Sequence, residues 1–480
     1  MEQQLKQKQL SQKQSNQQEN ILGTGSIGML IAKFAIPSVV AMLINALYNI
    51  VDQIFIGRGV GYLGNGAANV VLLITLVTLA LSLLIGDGTA AYFSLRLGAG
   101  KEQDAAKGVG NAILLITGVS LLAMTVGLLF LEPILSVLGA TEMLMPYAKE
   151  YGYIIVMGLP FIMISTSLNS VIRADGSPKY AMASMIIGAL VNGCLDPVFI
   201  FGFGWGMKGA AWSTFIGQMV SFVLSVCYLR KFRSIKITKG ILKLQFETVR
   251  EICGLGISSF IDQLAFSLVM VVNNNLIVHY GAATIYGSEI PLTAYGISMK
   301  VQEILFTILL GIGIGMQPIV GYNYGAKNYI RVKKAYGMAI LIGTITSVAA
   351  TVLFVFFPEP IIHLFGNTEN QLYMEFSTKF FQRYFLLYIF FGFQTITGVF
   401  FQAIGKPAQA AAISLSYQLV FKILSAVVLT SAIGLNGVLW SGPIADLLTF
   451  VICLTLVILQ MKNLGKQIIC TSNGRSGRNK

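Results

Sequence analysis

The chain has 480 residues, of which 55% are hydrophobic and 11% charged, against about 25% charged in a soluble domain. That balance excludes an ordinary water-soluble enzyme and identifies an integral membrane protein. The net charge of +13 raises nucleic acid as a partner, but its distribution along the chain argues against one and for membrane topology.

The chain opens on a polar tail, residues 1–24, whose Gln-rich stretch "MEQQLKQKQLSQKQSNQQEN" has too little apolar surface to order itself. The apolar region after it is too long for a signal peptide and lacks a small-residue cleavage site. Twelve apolar spans are predicted, beginning near residues 28, 67, 109, 147, 180, 209, 251, 290, 335, 380, 408 and 435. Each runs about 20 residues, enough to cross a bilayer at about 1.5 Å per residue. Residues 25–230 hold the first six and 251–463 the last six, with a basic linker at 231–250 and a basic tail at 464–480. Lysine and arginine gather in alternate connections, around Arg96 to Lys107, Arg173 to Lys179, Arg230 to Arg250, Lys327 to Lys334, and from Lys462 onward. Positive loops stay cytoplasmic, so both termini are expected inside.

The two halves repeat each other. "GDGTAAYFSLRLGAGKEQDAAKGVGNAI" from Gly86 aligns without gaps on "GIGMQPIVGYNYGAKNYIRVKKAYGMAI" from Gly313, pairing Gly86 with Gly313, Gly88 with Gly315 and Gly98 with Gly325. "RADGSPKYAMA" likewise answers "QAIGKPAQAAA". The fold class is therefore an all-α integral membrane protein, twelve transmembrane helices in two pseudo-twofold-related six-helix bundles. Parallel repeats about an axis along the membrane normal suit alternating access around a midplane cavity.

Polar residues inside apolar spans are costly, at least about 2.5–3.5 kcal/mol for an ionised group at a helix centre. In the first span Asn45, Asn49 and Asp52 step by four and three along one face, and in the fifth Asn192 and Asp196 step by four. Pro197 lacks an amide hydrogen and frees a carbonyl one turn back, while Thr214 adds a hydroxyl from the sixth span. Two acids with no basic residue on their polar faces point to a proton or cation site. Counting from the repeated landmarks sets Asn192 near Phe421, Asp196 near Ser425, Thr214 at Gly442 and Asp52 at Asn274, so the second half lacks this set. It has its own ionisable residues, Asp262, Lys300, Glu303, Lys422 and Asp446, for which mutual salt bridging is the favoured expectation and a substrate or second coupling role the alternative. Asp87, between two glycines, is expected to be exposed at a helix end. Asn45, Asn49, Asn274, Met163, Phe266, Met270 and Tyr295 are candidate cavity residues, since Met and aromatic side chains accept flat apolar cations. Five cysteines and two histidines without ligand spacing make a poor inventory for a metal site, a disulfide framework or a membrane enzyme.

The motifs "IP…VDQIFIG", "LVNGCLDPVFIFGFGWGMKGAAWST", "IRADGSPKYAMA", "LTAYGI", "GMQPIVGYNYGA" and "FQAIGKPAQAA" resemble those of the multidrug and toxic-compound extrusion (MATE) family, most closely its bacterial MepA-type branch, over residues 25–465. The resemblance implies a V-shaped pair of lobes in a bacterial cell membrane, exporting lipophilic, often cationic drugs and dyes in exchange for H⁺, with Na⁺ as the alternative ion. It implies a cation site at Asp52, Asn192, Asp196 and Thr214. Members that use a site in the second lobe carry acids on the seventh and tenth helices. Here Asp262 sits off the expected position and the tenth helix around Phe393 and Gln394 has no acid. No organic cofactor is implied, and a monomer in the lipid bilayer is expected. A lipid-linked oligosaccharide flippase of related fold is the other transport reading, although such proteins carry extra spans and a strongly basic central cavity.

Overall fold

A computed structural model describes residues 21–235, 241, 243–365 and 370–476. The Gln-rich stretch 1–20, linker residues 236–240 and 242, and the last residues of the tail lie outside the described residues. A lipid-embedded backbone must satisfy its own hydrogen bonds, which leaves helices as the solution for apolar runs of this length. No strand occurs among the described residues.

The membrane helices are α1 (Ile27–Gly59), α2 (Tyr62–Gly98), α3 (Glu102–Leu129), α4 (Met145–Ala174), α5 (Pro178–Pro197) and α6 (Gly206–Tyr228) in the first lobe. The second lobe has α7 (Phe246–Gly281), α8 (Glu289–Gly325) and α9 (Tyr329–Phe356), then α10 in two arms, Gln371–Tyr384 and Phe391–Ala403. α11 starts as Pro407–Leu415 and passes through a π-helical stretch, Ser416–Ile423, to Leu424–Ile433; α12 is Asn436–Ser476. Among the described residues eleven helices are long and apolar enough to span a membrane, and counting the two arms of α10, bent by 49°, as one span makes twelve. The break in α10 has no proline; it lets Phe385 and Tyr388 both reach Phe354 of α9, with ring centroids 4.9 and 6.4 Å away. α12 carries on to Ser476, so 464–476 extends the last helix.

The repeated Gly-x-Pro is a turn between helices. Gly176 and Gly405 take φ of +87° and +74°, a left-handed conformation that suits glycine. Pro178 and Pro407 then open α5 and α11 where no amide hydrogen is needed. The turn after α2 uses Gly100 at φ +74°, and its repeat after α8 keeps the same geometry with Lys327 at φ 58°.

The repeated glycines acquire their reason where the lobes meet. A β-carbon on Gly98 would collide with the Tyr322 carbonyl of α8, and one on Gly325 with the Leu95 carbonyl of α2. Gly88 and Gly256 do the same for α2 against α7, and Gly315 presses α8 onto Ala35 of α1. These contacts lie toward the end that carries the basic connections. Arg96 adds a two-pronged ion pair across the lobes to Glu251, at 2.9 and 2.7 Å.

Asp87 belongs to this seam, which corrects the expectation that it is exposed. It is 7% exposed, accepting from Ser170 of its own lobe at 2.8 Å and from Ser259 of the other at 3.0 Å. Carboxylate placement between glycines lets α7 come close enough for the second bond. α1 also bridges the lobes. Its first turns, including Ile31 and Phe34, pack with Ile312 and Met316 of α8, whereas its later turns lie against α5. Pro37 sits between the two parts, and Ser38 Oγ donates to the Phe34 carbonyl at 2.9 Å.

In the turn between α4 and α5, Asp175 accepts from Tyr228 Oη at 2.7 Å and from the amides of Arg233 and Ser234 at 2.9 and 3.0 Å. It ties the start of the linker to the first lobe. Burial pushes its carboxyl above the ordinary 3.8, against the pull of those hydrogen bonds. An acid with a raised folded value gives stability that is fully present below its unfolded value and lost as pH rises through the folded one. Asp175→Ala is expected to cost about 1–3 kcal/mol for each orphaned buried donor. The drop in melting temperature should be largest at acid pH and shrink as pH rises above 3.8; a gap that widens with pH would contradict this.

Candidate functional site

α5 and α6 approach through Gly188 and Gly217; a β-carbon on Gly217 would lie 2.7 Å from the Gly188 carbonyl and 2.9 Å from Asn192 Cβ. That closeness puts the polar step of α5 against the hydroxyls of α6. Asn192 Nδ2 donates to Thr214 Oγ1 at 3.1 Å and to Ser213 Oγ at 3.4 Å. Ser213 Oγ donates in turn to Asp196 Oδ1. Pro197 ends the regular hydrogen-bond ladder of α5, and the next turn, Val198–Gly202, is π-helical. Such turns concentrate at functional sites. This one packs Phe201 against Phe55 of α1, ring centroids 6.3 Å apart, and so seats α1 beside Asp196.

From α1, Asp52 brings its carboxyl group into hydrogen-bonding reach of Asp196. Two bare carboxylates repel each other, so such a contact holds when a proton or small cation lies between them. Tyr48, one turn before Asp52, and Tyr151 of α4 stand beside the pair, and Tyr151 also reaches Thr214. Asp196 is wholly buried, Asn192 3% exposed and Thr214 8%. Three enclosed oxygens, Asp52 Oδ1, Asn192 Oδ1 and Asp196 Oδ2, have no donor among the described residues. Buried polar atoms are nearly always paired, so this set of acceptors has an unmet demand for positive charge.

The structure thus brings together all four residues singled out in the first lobe. Ser213, Tyr48 and Tyr151 belong with them and were missed. Ser213 stands next to Thr214 and Tyr48 four residues before Asp52, so both were within reach of a helical-step argument. Tyr151 arrives from a separate helix and carries no signal of its own.

In the second lobe the expected mutual salt bridging is corrected: no ion pair within 4.0 Å joins any of Asp262, Lys300, Glu303, Lys422 and Asp446. Lys300 and Glu303 are exposed on α8, one turn apart and within reach of one another's charge. Asp262 lies between α7 and α11, beside Ser414. Lys422 and Asp446 are each 1% exposed and feel one another's charge, but Gln394 Nε2 holds Asp446 Oδ1 at 3.0 Å and Lys422 lies over tyrosine rings. Two proposed cavity residues are also corrected. Met163 is packed in the first-lobe core and Tyr295 in the second, where Asn273 donates to its hydroxyl at 3.3 Å; their apolar area is spent on helix packing. Phe266 and Met270 are half-buried and exposed, one turn apart on α7, Asn274 follows at the next turn, and Asn45 is exposed on α1. The Asn49 side chain lies outside the described residues.

Comparison with known proteins gives a consistent picture. A family model, MatE, matches residues 37–198 and 260–428, one block on each lobe. The chain is 27% identical over 436 residues to the multidrug export protein MepA of Staphylococcus aureus (strain NCTC 8325 / PS 47), covering 89% of this chain and 92% of that protein. Among solved structures, the outward-facing conformation of a multidrug resistance MATE family transporter of the MOP superfamily matches with TM-score 0.85 at 22% identity, over 93% of this chain and 98% of that one. A MOP superfamily transporter from Pyrococcus furiosus matches with TM-score 0.85 at 21% identity and the same coverage. At these identities the structural likeness concerns the fold.

Proposed function

Because the chain belongs to the MatE family of membrane transporters, we propose that it is a secondary active multidrug exporter, expelling lipophilic, often cationic molecules in exchange for protons. The observation that carries this reading is the meeting of Asp52 and Asp196, with one oxygen of each and Asn192 Oδ1 enclosed and lacking a donor among the described residues. That the MepA relatives are multidrug export proteins supports the export of drugs.

The basic connections support an orientation with both termini and the linker in the cytoplasm. The lobes touch toward that end, so the cleft between them is closed to the cytoplasm and the first-lobe site is loaded from outside. A proton arriving there neutralises one carboxyl and removes the repulsion between α1 and α5. α1 then repacks around Pro37, where its two parts already serve different lobes, and the substrate leaves. On the return, opening at the basic end breaks the Arg96–Glu251 and Asp87–Ser259 contacts and exposes the pair to the cytoplasm.

Sodium is the competing ion, because carboxylate, amide and hydroxyl oxygens also suit a hard cation. Ethidium efflux in proteoliposomes at fixed pH, with and without Na⁺ and with a pH dye in the opposite compartment, separates the two. The expected outcome is a rate that changes by less than about twofold on removing Na⁺, with protons moving against the dye. An absolute requirement for Na⁺ would reassign the site.

A further inference from the structure

Asp87 stands where three helices meet. Gly86 lets α4 approach, since a β-carbon there would lie 2.8 Å from Ser167 Cα, and Gly88 lets α7 approach, since one there would collide with the Ile252 carbonyl. The carboxylate between them divides its oxygens between the lobes: Oδ1 accepts from Ser170 Oγ of α4 at 2.8 Å and Oδ2 from Ser259 Oγ of α7 at 3.0 Å. The strongest donor nearby is not used directly. Arg173, three residues after Ser170, donates from Nη2 to the Ser170 oxygen at 2.9 Å and lies within reach of the Asp87 charge. It makes no ion pair within 4.0 Å among the described residues. Its Nε is enclosed and has no acceptor among them, although buried polar atoms are nearly always paired.

The other end of the inter-lobe bond also has a reserve. Ser259 Oγ accepts from Gln402 Nε2 of α10 at 3.2 Å, and the same nitrogen donates at 3.0 Å to the Leu255 carbonyl, one turn before Ser259. Gln317 of α8 donates to Gln402 Oε1 at 3.2 Å and fixes the amide. Gln402 and Arg173 occupy matching places in the internal repeat, three residues before the glycine of "QAIGKP" and "RADGSP". Each lobe therefore supports its own end of the Asp87–Ser259 bond from the same position. The acid is not repeated, since the counterpart of Asp87 is Ile314.

Parting the lobes takes from a buried carboxylate one of its two donors, which is costly unless another replaces it. We propose that Asp87 changes partner when the lobes part at the basic end: it gives up Ser259 and closes onto the Arg173 guanidinium, so that an ion pair within the first lobe replaces a hydrogen bond between the lobes. Ser259 turns its hydroxyl to the Leu255 carbonyl, the acceptor four residues back that helical serines commonly use, and keeps Gln402. A guanidinium–carboxylate pair is stronger than a hydroxyl's hydrogen bond, so the exchange holds the parted form against return to the closed one. Arg173 is thereby a positioning residue for the state open to the cytoplasm. Its use in transport rests on the export reading, whereas the exchange itself needs no substrate.

Full-length protein with its native cysteines replaced, and spin labels at positions 101 and 327 in the turns after α2 and α8, is measured in lipid nanodiscs without substrate. The readout is the ratio of the long to the short label distance. Glu251→Gln removes the exposed ion pair to Arg96 and leaves the Asp87 contacts intact, so it is expected to raise that ratio and serves as the background. There Arg173→Gln should lower the ratio at least about fivefold, Asp87→Asn should do the same, and the two together should do no more than either. Arg173→Lys keeps the charge and should recover part of the loss, whereas Ser259→Ala, which removes only the closed-state donor, should raise the ratio further. Asp87→Asn still accepts from both serines, and carries the test if Arg173→Gln does not give monodisperse protein. A ratio that Arg173→Gln leaves unchanged or raises, effects of Arg173→Gln and Asp87→Asn that add in full, or no long distance even in Glu251→Gln would overturn the proposal. Ethidium efflux by the unaltered protein is scored separately, so failure of the export reading is distinguished from failure of the exchange.

Discussion

Asp196→Asn is expected to leave the protein folded and to lower ethidium efflux at least about tenfold, because the amide keeps the shape of the carboxyl group but cannot take up and release a proton. Its oxygen can still accept from Ser213 Oγ, so the link from α5 to α6 survives. On the proposed coupling, Asp52 would lose its partner for a shared proton, and the repulsion proposed to drive α1 from α5 in the unloaded state would disappear. Asp52→Asn should behave alike, and the double variant should be little worse than either, since the two groups act as one unit. Ser213→Ala removes a positioning contact and not a carboxyl group, so its loss should be smaller. Efflux from cells or proteoliposomes, at matched expression and with a monodisperse profile, checks the series. Wild-type pumping by Asp196→Asn would show that the coupling site lies elsewhere.

Gly98→Val is expected to be as damaging for a different reason. The added carbon would fall on the Tyr322 carbonyl, a backbone atom that cannot rotate away. α2 and α8 must then separate, and the arrangement closed at the basic end becomes inaccessible. Transport should fall at least about tenfold, as for loss of one state of a two-state cycle. Spin labels at the basic ends of α2 and α8 should report a longer distance than in the parent. Gly325→Val strikes the Leu95 carbonyl on the same seam and should give the same phenotype, with the pair far from additive. Gly118→Val, where nothing lies within 4 Å of the new carbon, is the control and should pump normally. A Gly98→Val protein with unchanged label distance and normal efflux would refute the role given to the seam.

Much of the first-lobe site was legible because it is local. Asn192 and Asp196 share a face by the four-residue step, and Pro197 announces the break after them. Asn45 satisfies the same periodicity as Asp52 and yet is exposed, since periodicity shows which residues share a face and not what that face meets. Asp87 was misjudged for a related reason: a carboxylate between two glycines looks exposed until Ser259 arrives from another lobe. The charged residues of the second lobe showed both signs, which argued for pairing. The structure instead spends Asp446 on Gln394 and sets Lys422 over rings, because side chains fixed on α10, α11 and α12 cannot choose partners by charge alone.

Composition, span length, loop charge and the internal repeat determine by themselves that this chain is a membrane protein of two homologous six-helix halves. Those properties are sums over many residues, or steps of three and four within one helix, and each can be read without knowing the neighbours. Which helix lies against which was decided by the tertiary structure. Contacts such as Asp52 with Asp196, Gly98 with Tyr322 and Arg96 with Glu251 join residues more than a hundred positions apart, and they exist through close helix approach in three dimensions. The same packing makes one acid pair a candidate coupling site.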